Sequence, residues 1–335
     1  MTLLGKKERV RRALRREPVD RLPTQTNYTS KMGRILAEHF GVPLEALPER
    51  LDNHLLRVDI TYVRPRNPDG NVEYDWWGAG WDTRTEGYWH AQAPMSDSLD
   101  LDGYPWPDPA ADGLVAAAPA ESGEFFVVPN LGMCLFERAW SLRGFEALLM
   151  DMAERPEWVE ELLDRIVAIQ VPLARRFVAS GVDAGYFGDD YGAQRSMLFS
   201  PRQWRKFIKP RLAEMFRVFL DAGLPVILHS DGDIRAILPD LVEIGFTTLN
   251  PVQPEVLEHG WLRREYGSKL SFFGGISTQE VLPEADTAAV RDATIACARA
   301  LAPEGTGLLL GPSHRMQSDI PPENVVAMLE AFREA

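Results

Sequence analysis

Three residues pose the chemical question in this chain. His229 and Asp231 stand two apart in the run VILHSDGD, and His314 closes the run GLLLGPSH. On an extended strand end, side chains two residues apart point the same way, so the imidazole and the carboxylate converge. With His314 supplied from the last strand, they form a nitrogen and oxygen set that suits zinc or iron with open coordination positions. The same groups also serve as acid, base and hydrogen-bonding partner without an ion, and the spacing does not choose between the two. Asp189 and Asp190 end the run AGYFGDD. Neighbours on a strand face opposite ways, so one of the pair enters the site; Asp189 is read as the catalytic carboxylate beside His229 and Asp231. Asn27, Asn130, Asp190, Tyr191, Asn250 and Gln253 are the substrate-binding candidates, and Ser313 adjoins His314.

These residues are scattered along the chain, yet each follows an apolar run. Such polar endings on many strands meet only where parallel strands present their carboxyl ends together. Residues 224–254 show the unit most clearly. An apolar run with β-branched Val226 and Ile227 ends at His229, the polar turn Ser230, Asp231, Gly232 and Asp233 follows, and Ile234, Ile237, Leu238 and Leu241 recur at helical spacing up to Gly245. A second buried run, 246–249, then ends at Asn250. This is a right-handed βαβ unit.

Eight strand-like runs can be counted, at 22–27, 57–63, 125–130, 184–190, 226–231, 247–252, 270–275 and 307–314. Helical patterns lie between the later ones, at 156–179, at 200–222 with Ser200 as N-cap and Pro201 at the first position, and at 234–244, 288–301 and 321–335. The alternation predicts an α/β fold, a single-domain (β/α)8 TIM barrel spanning 1–335. Residues 64–118, rich in Gly, Pro, Asp and Trp, depart from it. WWGAGWDTRTEGYWHAQAP reads as a twisted β-hairpin, so the segment is expected to decorate the barrel mouth, with Trp76, Trp77, Trp81 and Trp89 either lining a pocket or packing together. Ala-rich residues 110–121 form the expected linker back to the barrel.

Composition narrows the function. A net charge of -13 repels phosphate backbones and argues against nucleic acid as a partner. The basic run 6–16 is interrupted by Val10, Ala13 and Leu14 at helical spacing, as the solvated face of an N-terminal helix would be. No apolar stretch approaches the roughly 18 residues of a membrane helix, and the charged start lacks the apolar core of a secretory signal, so the expected compartment is the cytoplasm. Cys134 and Cys297 form no CxxC pair and read as buried apolar residues.

Several segments together resemble the uroporphyrinogen decarboxylase superfamily of (β/α)8 barrels: RVRRALRREPVDRLP at 9–23, SPRQWRKFIKPRL at 200–212, the 226–254 unit, FFGGISTQEVLP at 272–283 and GPSHRMQSDIPPENV at 311–325. The superfamily includes the decarboxylase of haem synthesis and corrinoid-linked methyltransferases. The decarboxylase carries an arginine-rich segment after its first strand. Here the matching TNYTSKMGRIL has Arg34 alone, a poor grip for a substrate with many carboxylates. The methyltransferase branch is the closer match. Its thiol-directed members hold zinc with a His-x-Cys pair and a distant Cys, where this chain has His229, Asp231 in place of the first cysteine, and Ser313 and His314 late in the barrel.

The resemblance therefore implies methyl transfer between a small O- or N-methylated substrate and a corrinoid (methylcobalamin as co-substrate) on a partner protein. His229, Asp231 and His314 are then ligands to zinc or another metal. The alternatives are a decarboxylase-like lyase acting on a small or tetrapyrrole carboxylate, which would require an anion-binding arginine at the mouth, and a non-catalytic binding barrel. A homodimer is among the assemblies the sequence allows.

Overall fold

The computed structural model describes residues 3–87, 89–115 and 123–335. Ten strands are present among them: β1 Leu55–Val58, β2 Val72–Tyr74, β3 Gly80–Asp82, β4 Trp89–Gln92, β5 Phe126–Pro129, β6 Gly185–Gly188, β7 Val226–His229, β8 Thr248–Val252, β9 Ser271–Ile276 and β10 Leu308–Pro312. The last five form a parallel sheet in the order β10-β9-β8-β7-β6, and β1 pairs in parallel with β5. This is a mixed α/β fold whose parallel strands are bought together by intervening helices such as Pro156–Ala179 before β6 and Thr287–Leu301 before β10. Single bridges link the two sheets. Leu131, just past β5, pairs with Phe187 of β6, and Thr24 pairs with Leu310 of β10 while its carbonyl accepts from His54 N, next to β1.

Strand alternation divides the apolar residues into two layers. Leu55, Phe126, Val128, Ala184, Tyr186, Ile227, Phe273 and Leu309 face inward and pack on one another, closed below by Val10 and Leu14 of the helix Lys6–Leu14. The opposite strand faces pack on the surrounding helices in a much larger cluster. Register then sets the height of the site. Gly188 pairs with His229 and His229 with Asn250, so three strand-end residues lie in one row across β6, β7 and β8.

Some expected elements take a different form. Residues 22–27 make an isolated bridge rather than a strand, because side chains supply the bonds a ladder would give. Thr26 N donates to Asn53 Oδ1 and Leu55 N to Gln25 Oε1. The helix expected over 200–222 is two, Pro201–Phe207 and Lys209–Asp221, since Pro210 in the first turn of the second has no N–H to continue the first. The helix expected from 234 begins only at Leu238, because the Asp233 carboxylate accepts from Arg235 N and forms a local turn.

Within 64–118, β2, β3 and β4 make a three-stranded antiparallel sheet. Its aromatics mostly pack together. Trp77 and Trp81 are buried, Trp81 lies edge-on to His90 and Trp140, and its Nε1 donates to Asp75, which also pairs with Arg138. Trp89 is 62% exposed. The turn between β3 and β4 is tied down by Glu86, whose carboxylate accepts from Ser318 N, Ser318 Oγ (2.6 Å) and Thr29 Oγ1. Residues 116–121 of the expected linker lie outside the described residues. No helix among those described is long and apolar enough to cross a membrane.

Candidate functional site

Two loops lie against one another at the carboxyl ends of β6 and β7. Gly232 takes a positive φ of +78°, and a Cβ there would stand 2.4 Å from the carbonyl carbon of Gly192, so only glycine permits the contact. Asp233 N donates to Ala193 O across the same seam. Closing it brings Asp190 beneath the polar turn, where its Oδ1 accepts from Asp231 N at 2.8 Å. The Asp231 carboxylate caps no helix. It faces two imidazoles instead, 3.8 Å from His229 Nε2 and 3.6 Å from His314 Nε2. The His229 and His314 ring centroids are 5.5 Å apart. One ligating atom from each of His229, Asp231 and His314 can be chosen so that all lie within 4.8 Å of one another.

The orientation of His229 is fixed from behind. Asn250 Nδ2 donates to Phe273 O at 3.2 Å, which makes its Oδ1 an acceptor. That oxygen accepts from Tyr186 OH at 2.6 Å and from His229 Nδ1 at 2.8 Å. His229 therefore carries a proton on Nδ1 and points Nε2 toward Asp231 and Asp190, the latter 4.0 Å away. A nitrogen ligand whose other ring nitrogen is held by hydrogen bonding is what a bound metal requires. The O and N donor set fits a zinc-like or iron-like ion.

Like charges crowd this end. Burial, with the Asp231 charge adding to it and His229 opposing, raises the Asp190 carboxyl to about 6. Glu137, in the first turn of the helix Phe136–Arg143, is pushed well above the usual carboxylate range by burial and then by Asp190 and Asp189. Burial lowers His314, against the pull of Asp231.

The structure brings together His229, Asp231, His314, Asp190 and Asn250. It removes Asp189 from the site. The Asp189 carboxylate is fully buried and accepts from Phe136 N (2.8 Å), Glu137 N (2.7 Å) and Leu135 N (3.4 Å), where it caps a helix start. Tyr191 is likewise no surface for substrate, being fully buried against Trp204 and Phe136. Gln253 is a prop: its Oε1 accepts from Gly232 N and its Nε2 donates to Gln194. Ser313, also buried, accepts from Thr278 N. Asn27 and Asn130 stay at the rim. Asn27 O accepts from Met316 N, and Asn130 donates to Asp59 at 2.8 Å. Two charged residues near the site were not singled out from the sequence, Glu137 and Arg57. The acidic first turn right after the third apolar run marked the former; a lone arginine within RVDITYV gave no signal for the latter.

A search of curated proteins finds no match to this chain. Among solved structures, a methyltransferase from Methanosarcina mazei is 20% identical, with 99% of each chain covered and a TM-score of 0.72, a likeness of fold. A B12-independent methionine synthase from Shewanella sp. W3-18-1, solved in complex with selenomethionine, is 10% identical over 94% of this chain and 98% of that one, with a TM-score of 0.49. The family model for uroporphyrinogen decarboxylase (URO-D) matches residues 135–335, which carry both histidines, Asp190, Asp231 and Asn250. By that match, which takes in more than half of its residues, the chain belongs to the uroporphyrinogen decarboxylase (URO-D) family.

Proposed function

We propose that this protein is a methyltransferase that takes a methyl group from a small O- or N-methylated compound and passes it to a corrinoid carried on a partner protein. The observation that carries the reading is the convergence of His229, Asp231 and His314, with His229 oriented by Asn250. In the step, the bond from the methyl carbon to oxygen or nitrogen breaks. The electron pair of the reduced corrinoid cobalt forms the new carbon-cobalt bond, and the departing atom keeps its bonding pair and takes up a proton. His229, Asp231 and His314 would hold a divalent ion, which when bound polarises the departing atom. Asp190 and Glu137, whose hold on a proton burial strengthens, stand close to these groups as acid or base candidates. Asn250 keeps the His229 ring from turning.

The same reading covers the scaffold. The links Thr24 to Leu310, Thr24 to His54 and Leu131 to Phe187 connect the two parallel sheets, and we take them to close an eight-stranded barrel with the β2–β4 sheet, latched by Glu86, over its carboxyl end. The test is a spectrum. Purified protein, assayed for metal by elemental analysis, is mixed with reduced corrinoid and a panel of methyl ethers and methylamines, and formation of the cobalt-carbon bond is followed. Methylation that depends on His229 supports the reading. Absence of methylation across the panel, or methylation unaffected by His229→Ala, overturns it. Release of CO2 from a carboxylated substrate would identify a lyase instead.

A further inference from the structure

Below the histidines, the inner wall carries a positive charge that the fold does not neutralise. Arg57 lies in β1 two residues after Leu55, on the inward side of the strand. Its guanidinium carbon sits 4.2 Å from the centroid of the Tyr186 ring, and Nη2 donates to the Tyr186 hydroxyl. The Nε atom is buried without a hydrogen-bond partner among the described residues. Nor does any carboxylate among those residues pair with the group. Asp59, the acid nearest in sequence, is engaged by Asn130 at the rim, and Asp190 and Asp231 are turned to the histidines. Arg315, beside His314, adds a second positive charge near the same tyrosine hydroxyl.

A half-buried guanidinium without a counter-ion is costly. Its planar fork matches a carboxylate, and a ring face holds it in place until one arrives. Arg57 is also the inner end of a continuous string. Its Nη2 bonds to Tyr186, Tyr186 to Asn250 and Asn250 to His229. An anion at Arg57 and a reacting atom at His229 are thus held by one connected set of side chains.

We propose that Arg57 is the anion-recognising residue of the site and that the methylated substrate carries a carboxylate, as in methoxy acids and N-methylated amino acids, and is not a neutral alcohol or amine. This rests on the methyl-transfer reading for the substrate's methyl group, but not for its charge. Binding of 3-methoxybenzoate, methoxyacetate and N,N-dimethylglycine to the full chain is measured by calorimetry beside the corresponding amides, with no corrinoid present. At least one acid should bind about tenfold or more tightly than its amide, the worth of a charged bidentate contact. Arg57→Gln, confirmed as folded by circular dichroism, should abolish that ratio. A wild-type protein that prefers none of the acids, or an R57Q protein that keeps the ratio, overturns the proposal. Where R57Q does not fold, Arg57→Lys decides: a reduced ratio supports the anion site and an undiminished one refutes it. Acids that bind through Arg57 yet leave reduced corrinoid unmethylated keep this site and remove the methyl-transfer reading.

Discussion

Both ends of the parallel strands hold histidine, carboxylate and arginine, and the two ends use them in opposite ways. At the amino end, Arg9 donates Nε to Asp20 Oδ1 and Nη2 to Asp20 Oδ2, both at 2.8 Å, Nη2 again to Leu4 O at 2.5 Å, and Nη1 lies 2.9 Å from His54 Nε2. Burial brings His54 down to about 4, so the ring is neutral and accepts from Arg9 while Nδ1 meets Thr24 O. Opposite charges meet at bonding distance and their donors are used. At the carboxyl end, Asp231 and Asp190 approach the histidines only to 3.6–4.0 Å, and Arg57 Nε has no partner among the described residues. A buried polar network that is fully bonded holds a fold together, and one left short of bonding distance is arranged for something else to complete it.

The largest effect should come from breaking the satisfied end. Arg9→Ala would leave Asp20 and His54 without their partner and is expected to cost about 3–5 kcal/mol in denaturant unfolding, with the proposed methyl transfer, per folded molecule, little changed. Asp20→Asn carries the pH signature. Hydrogen bonds from Arg9 hold the Asp20 carboxyl well below its usual range. A depressed folded-state value means that its stabilisation is present above the unfolded value near 4 and is lost as pH falls through the folded one. The stability gap between wild type and D20N should therefore be full at neutral pH and close in strong acid. A gap that widens on acidification would contradict the pairing.

His229→Ala tests the other end with the reverse pattern. Activity should fall on the order of 100-fold or more, while stability changes by about 1 kcal/mol. If that variant unfolds, the mouth is a structural network like the one below it. Asp231→Asn should follow, with bound metal reduced and activity lowered by about 10-fold to 100-fold. Since Asp231 caps no helix, the melting temperature should barely move. Metal content equal to wild type would take Asp231 out of the ligand set.

How much of this could be read from the chain depended on where each backbone group finds its bond. Buried parallel strands announce themselves as apolar runs, so β5 to β10 lie within their expected ranges or one residue past them, and the helix Pro156–Ala179 has the expected bounds. Residues 22–27 looked the same but form only a bridge, because Asn53 and Gln25 take over ladder bonds, and side-chain substitution of that kind leaves no periodic trace. The histidine pair was legible because each ring closes an apolar run. Arg57 was not, since a charge inside a short strand reads as a rim position until the neighbouring strands show which way it faces.

The smallest expected effect is the sharpest test of the division within the mouth itself, between Asp189 and Asp190. The two are adjacent, both are acidic, and sequence favoured Asp189 for catalysis. The structure gives Asp189 three backbone N–H donors at the start of the helix Phe136–Arg143, and gives Asp190 the company of His229 and Asp231. Asn at 189 keeps one oxygen for Glu137 N, the closest donor, but loses the charge and the oxygen that accepts from Phe136 N. Asn is also a good N-cap, so the cost should be about 1 kcal/mol, rising to about 2–3 kcal/mol for Asp189→Ala, in which all the donors are orphaned. The proposed methyl transfer should in D189N stay within about threefold of wild type, because no side-chain oxygen that it changes faces the histidines. Thermal melts and rates measured on the same preparations separate the cases. Should D189N lose activity while melting normally, the catalytic carboxylate is the one behind the helix start, and the contrast between an acid bonded to three backbone donors and one facing the histidines does not mark function here.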